Sequence, residues 1–156
     1  MLSMDIRENR VENFDDDTQF TIEDVNFFES MGKDETLAIS AKKVVRTENV
    51  IDGEKIFLEL RKGDSALLGV TGRRGTYYFD KLEAILEGNV RGKFGDLEWE
   101  ALRMHWYVKL GEIVSEEGVR FTFKDGVGKS SKMVIRPTEG VVEFVGRVEI
   151  SVLENK

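Results

Sequence analysis

The segment Gly126-Val-Gly-Lys-Ser-Ser131 comes nearest to a phosphate-gripping loop, in which successive backbone N–H groups and a lysine surround an anion. The full pattern needs a glycine five residues before Gly128, where this chain has Phe123, and a helix after the loop, for which there is no pattern. The segment therefore reads as a turn between strands. His105 is the only histidine and there is no cysteine, so a metal would find no second imidazole and no thiolate; it sits on the polar face of its strand beside Arg103 and Tyr107. Glu98 and Glu100 share a strand face and, with Asp96, could be drawn as a carboxylate pair for glycoside cleavage. Strand neighbours two apart are common in any acidic chain, and nothing else completes the pair. Trp99 and Trp106 could stack on sugars, but they fall among aliphatic partners and read as core. No catalytic group and no cofactor or metal site is expected.

The elements around these residues are strands. At 156 residues the chain matches one domain with one core. Thirty acidic against twenty-three basic side chains leave a net charge of −7, and no basic run is long enough to follow a phosphate backbone, so nucleic acid is excluded as the expected partner. The longest apolar runs, such as Ala66 to Val70, are far shorter than the ~20 residues of a membrane helix. Residues 1–18 are polar, end in Asp15-Asp16-Asp17 and show no clean period, as expected of a flexible arm; residues 19–153 are expected to form a single β domain, with Glu154 to Lys156 fraying.

From Phe20 onward, runs rich in branched and aromatic residues are broken by charges, as in strands. Leu37-Ala-Ile-Ser-Ala-Lys-Lys-Val-Val reads as a strand rather than a helix, and Asp52-Gly53 before the alternating Ile56, Leu58 and Leu60 reads as a hairpin turn. Asp80-Lys81, Leu110-Gly111 and Pro137 to Gly140 read as further turns. The strongest signal is a repeat. Val90, Val119 and Val148 are 29 residues apart, as are Tyr77, Trp106 and Ile135, and each valine follows a glycine by one or two positions. A period of this size built from a strand pair implies stacked units that bury their apolar faces against one another. Alternation places Leu102, Met104 and Trp106 on one face, Phe121 and Phe123 on another, and Val148, Ile150 and Val152 on a third. The expected fold is all-β, a twisted jellyroll or open β-roll of two stacked antiparallel sheets built from repeated strand pairs.

Leu82-Glu-Ala-Ile-Leu-Glu-Gly-Asn-Val90, then Leu97-Glu-Trp-Glu-Ala-Leu-Arg-Met104, then Ile113-Val-Ser-Glu-Glu-Gly-Val119 resemble, in that order, the motifs of the lipopolysaccharide-transport β-rolls of the LptC and LptA type. Ile22-Glu-Asp-Val-Asn-Phe27 and Leu37-Ala-Ile-Ser-Ala41 resemble the opening strands of the LptC branch, so the likeness spans about residues 20–152. The resemblance implies an open β-roll in the periplasm of Gram-negative bacteria. Such a roll takes lipopolysaccharide from an inner-membrane ABC transporter and passes it to an LptA-like bridge protein by β-strand augmentation, with no reaction. LptC carries an N-terminal membrane helix that this chain lacks, so attachment to the inner membrane would rest on a helix absent here; a soluble LptA-like role is the other possibility.

On that resemblance, the acyl chains of lipid A are expected on Ile22, Ile39, Ile56, Leu58, Leu86, Leu102, Met104, Trp106, Phe121 and Phe123. Arg73 and Arg74 would stand near the mouth for phosphorylated sugars, and Val148, Ile150 and Val152 would form the docking edge. The competing readings are a structural β-scaffold that binds only protein and a carbohydrate-binding module, both without lipid cargo.

Overall fold

A computed structural model describes residues 2–5, 20–32 and 34–152. Every regular element in it is a strand: β1 (Leu2–Asp5), β2 (Phe20–Gly32), β3 (Glu35–Arg46), β4 (Val50–Lys62), β5 (Ser65–Tyr78), β6 (Glu83–Phe94), β7 (Leu97–Tyr107), β8 (Glu112–Ser115), β9 (Val119–Phe123), β10 (Gly126–Arg136) and β11 (Val141–Val152). All pair antiparallel with their neighbours in chain order, except that β8 and β9 are two halves of one broken strand, both lying between β7 and β10. Leu37 to Val45 is extended as expected. Of the 1–18 arm, Leu2 to Asp5 pairs along β2, from Glu29 to Asn26. The remainder of that arm and the expected frayed end lie outside the described residues.

Six long strands, β2, β3, β4, β5, β7 and β10, shift the parity of their buried positions near the middle, whereas β6 carries two extra residues there, Gly88 and Asn89, and keeps its parity. In β4, Ile51 and Gly53 point inward before the shift and Ile56, Leu58 and Leu60 after it. In β2 the change falls between Ile22 and Val25, and in β7 between Trp99 and Met104. One extra residue in a strand has this effect: the same face stays inward while the strand bends. The registers place the extra residues on one line across the sheet, through Asp24, Lys42, Lys55, Arg73, Asn89, Leu102, Gly118, Ser131 and Gly146. Every second strand along that line carries a residue of positive φ: Asp24 (52°), Lys55 (52°), Asn89 (46°), Gly118 (86°) and Gly146 (88°).

The sheet folds over on this crease. One layer holds the segments 25–41, 56–72, 90–101, 119–130 and 148–152; the other holds 20–23, 43–54, 74–87, 103–115 and 132–145. Three contacts between segments distant in the sheet join one layer to the other. Tyr77 Oη donates to Glu29 Oε2 at 3.0 Å, Thr138 Oγ1 donates to Glu35 Oε2 at 2.9 Å, and the Phe121 and Phe144 rings stack at 3.9 Å. The expected pair of stacked sheets is thus one continuous sheet, doubled on itself, whose strands each serve both layers.

The 29-residue period is a row of side chains running across the strands. Val90, Ala101, Val119, Ser130 and Val148 are successive cross-strand partners beside the crease. Tyr77, Ala84, Trp106, Ile113, Ile135 and Val142 form the matching row in the second layer. The glycine ahead of each valine is a crease residue, with Gly88 (φ 80°) serving beside Asn89.

Three local expectations are corrected. Asp52-Gly53 is not a hairpin turn but lies inside β4, where the Ile56 side chain covers Gly53; the chain turns at Thr47 to Asn49. Gly126 to Ser131 is not a turn but the first half of β10, its glycines covered by Phe123 and Phe121. Leu102 is not on the face of Met104 and Trp106. It sits on the crease, where strict alternation fails, and is 64% exposed.

Candidate functional site: the open apolar end of the roll

Through most of its length the space between the layers is filled. The apolar cavity lined by Phe27, Ile39, Ile56, Tyr77 and Leu86 is about 30 Å³, room for about one water. Burial, and then the charge and hydrogen bond of Glu29, push the Tyr77 phenol above its ordinary value. The interlayer bonds at Tyr77 and Thr138 therefore draw the layers together with two carboxylates that are themselves buried.

Eight of the ten side chains expected to meet lipid lie in this core: Ile22, Ile39, Ile56, Leu58, Leu86, Met104, Trp106 and Phe121. Phe123 packs at its margin, and Leu102 lies outside it. Trp99 joins them, and Gly92, Trp99, Phe121, Gly128 and Ile150 form one cross-strand row. In that row each aromatic ring covers a neighbouring glycine: a Cβ on Gly92 would stand 2.1 Å from the Trp99 ring, and one on Gly128 2.5 Å from the Phe121 ring. The glycines are thus what let the two largest side chains of the row lie flat against the sheet.

That row leads out of the core. Ile150 pairs with Gly128, the glycine covered by Phe121, so Ile150 is on the inner face, and Val148 and Val152 follow opposite Ser130 and Gly126. Gly126 and Ser130, the partners of Val152 and Val148, are buried and Gly128 is half-buried, yet Val148 is 38%, Ile150 52% and Val152 68% exposed. The second layer ends at Val145, and among the described residues no further segment of it follows to lie over the first half of β10 and the last part of β11. The roll therefore closes over β2 to β9 and opens at its last two strands. There an apolar inner face meets an edge strand whose far side has no partner among the described residues. The residues chosen from sequence as a docking edge are the same three that line this opening. Alternation alone revealed their apolar face, but not that the facing layer stops short.

His105, Glu98 and Glu100, the polar residues weighed from the sequence for chemistry, are on the outer face. His105 Nε2 lies 2.8 Å from Glu83 Oε1 and its ring stacks on Tyr107 at 4.0 Å. Glu100 faces Arg91 at 3.8 Å and Lys129 faces Glu149 at 3.8 Å, along an open outer trough of about 740 Å³. Trp99 and Trp106, 3% and 1% exposed, offer no platform to a sugar. Their indole nitrogens and the Ser115 hydroxyl are buried without a hydrogen-bond partner, a feature nothing in the sequence signals. Among the described residues no cluster of His, Asp or Glu is arranged to hold a metal, and no helix is long and apolar enough to cross a membrane.

No protein-family profile and no curated protein matches the sequence. Among solved structures, the chain is similar to LptH of Pseudomonas aeruginosa, described as the LptA-homologous periplasmic component of the conserved lipopolysaccharide transport device. The alignment covers 98% of this chain and 95% of that one, at 8% identity and a TM-score of 0.36.

Proposed function

We propose that this chain is a non-enzymatic, lipid-carrying β-roll of the lipopolysaccharide export bridge. On this reading residues 19–153 form its single domain in the periplasm, in the LptC position and held at the inner membrane by a helix outside this chain. It receives lipopolysaccharide from the ABC transporter and passes it to an LptA-like roll that adds its strands to the free edge of β11. The observation that carries the reading is the open end: Val148, Ile150 and Val152 continue the core's own rows into solvent, beside Phe121 and Phe123.

Each acyl methylene removed from water contributes ~0.8 kcal/mol, so a chain laid on this face binds without any polar contact. Acyl contact at the more deeply placed residues, from Trp106 back to Ile22, then follows only where the layers part along the crease. Incubation with a fluorescent lipid A analogue tests the reading: the wild-type chain takes it up, and Ile150→Glu with Val152→Glu does not. Absence of uptake by the wild type, with the chain folded, refutes it.

A structural scaffold without cargo is the second reading, favoured by the 30 Å³ interior. It predicts no uptake by either protein.

A further inference from the structure

The crease carries a row of cations on three adjacent strands: Lys42 on β3, Lys55 on β4 and Arg73 on β5. All three are exposed, and among the described residues no ion pair joins any of them to a carboxylate. The next row along the same strands is built the other way. Glu23, Lys43, Glu54, Arg74, Glu87 and Arg103 are successive cross-strand partners and alternate in sign without exception. Like charges placed side by side across strands destabilise a sheet, and a chain of net charge −7 has carboxylates in excess to separate them.

Lys55 departs from its neighbours in backbone as well. The other left-handed crease positions are held by Asp24, Asn89, Gly118 and Gly146, residue types that accept positive φ; Lys55 holds φ 52° with a side chain that does not favour it. Strained backbone of this kind gathers at functional positions. Both departures meet at one lysine on the outside of the roll, across the sheet from the apolar interior.

We propose that Lys42, Lys55 and Arg73 form a binding site for phosphoryl groups. Strands about 4.8 Å apart spread the three cations over roughly 10 Å, a span that meets one phosphomonoester or two phosphates of one headgroup. The site is independent of the lipid-carrying reading, because it lies on the outer face and needs no acyl chain. The phosphoryl group can belong to a lipid surface or to a soluble molecule.

The full chain is tested with vesicles of phosphatidylcholine, with and without phosphatidic acid, and separately with inorganic pyrophosphate. Lys55→Gly is the informative variant, since it removes the charge and relieves the backbone together. Its thermal midpoint should equal or exceed the wild type's while its retention on phosphatidic acid vesicles falls about fivefold, and removal of all three cations lowers retention about a hundredfold. Lys109→Ser, an exposed charge away from the row, leaves binding unchanged. Chemical-shift changes at Lys42, Lys55 and Arg73 with pyrophosphate identify a site for soluble phosphates as well; changes with vesicles alone identify one that requires a surface. Wild-type binding by Lys55→Gly, equal loss in Lys109→Ser, or no response to either probe overturns the proposal.

Discussion

Replacing Gly92 by alanine tests whether the row from Gly92 to Ile150 is built as described. The new Cβ would stand 2.1 Å from Trp99 Cζ2, about 1.3 Å short of the 3.4 Å of ordinary contact, and 2.3 and 2.5 Å from two further ring atoms. The ring cannot swing into solvent, because Trp99 is buried and Phe121 is its partner on the next strand. Overpacking of this kind costs about 1–3 kcal/mol. Gly69→Ala is the control: its Cβ would meet only the Phe57 ring, at 3.4 Å and beyond. Neither glycine has positive φ, so the gain of about 0.4–1 kcal/mol from a stiffer unfolded chain is common to both and cancels in the difference. The two variants should therefore differ by about 1–3 kcal/mol in urea unfolding, or about 2–12 °C in thermal midpoint, with Gly92→Ala the weaker. Fluorescence of the two tryptophans should report a disturbed ring only in Gly92→Ala. Equal midpoints would refute the flat packing of Trp99 on β6.

Three further outcomes follow from the same structure. Leu102→Ala should change stability by less than about 0.5 kcal/mol and Met104→Ala should cost about 2–5 kcal/mol, although the two are neighbours in a simple alternation; comparable losses would place both inside. Gly118→Ala, which meets no atom but must hold φ 86°, should cost about 1 kcal/mol by calorimetry, and a gain in stability would argue against a left-handed crease. The raised Tyr77 pKa means that the unfolded chain releases the phenolic proton first as pH rises. Its stabilising contribution is thus complete below the ordinary tyrosine value of about 10 and declines above it, by at most about 1.4 kcal/mol per pH unit. Tyr77→Phe should remove that alkaline slope in pH-dependent unfolding, and should cost about 1–3 kcal/mol at neutral pH by leaving the buried Glu29 carboxylate without its donor.

The repeat in the sequence carried much of this architecture. Val90, Val119 and Val148 mark one cross-strand row and Tyr77, Trp106 and Ile135 another, because a strand, a turn and the returning strand together span one period. The glycines ahead of the valines were legible as part of the unit, but their task, a left-handed bend in register with Asp24 and Lys55, was not. No glycine marks the crease in β2 or β4, and β3, β5, β7 and β10 cross it without positive φ. For the same reason alternation failed at Leu102: a single inserted residue reverses the faces beyond it, and periodicity does not register one residue. Asp52-Gly53 has the composition of a turn, and only the packing of Ile56 over Gly53 explains a glycine within a strand. The open end was half legible. Val148, Ile150 and Val152 announce an apolar face, but their exposure depends on where the opposite layer stops, which is a property of the whole roll.

Site-specific photocrosslinking tests the lipid-carrying account most directly. A photoreactive amino acid at Ile150, on the open inner face, is compared with one at Leu102, more exposed (64% against 52%) but on the crease outside, after incubation of the folded chain with lipopolysaccharide. The account predicts adducts at position 150 and none at 102; no adduct at 150, or equal yield at both, would contradict it.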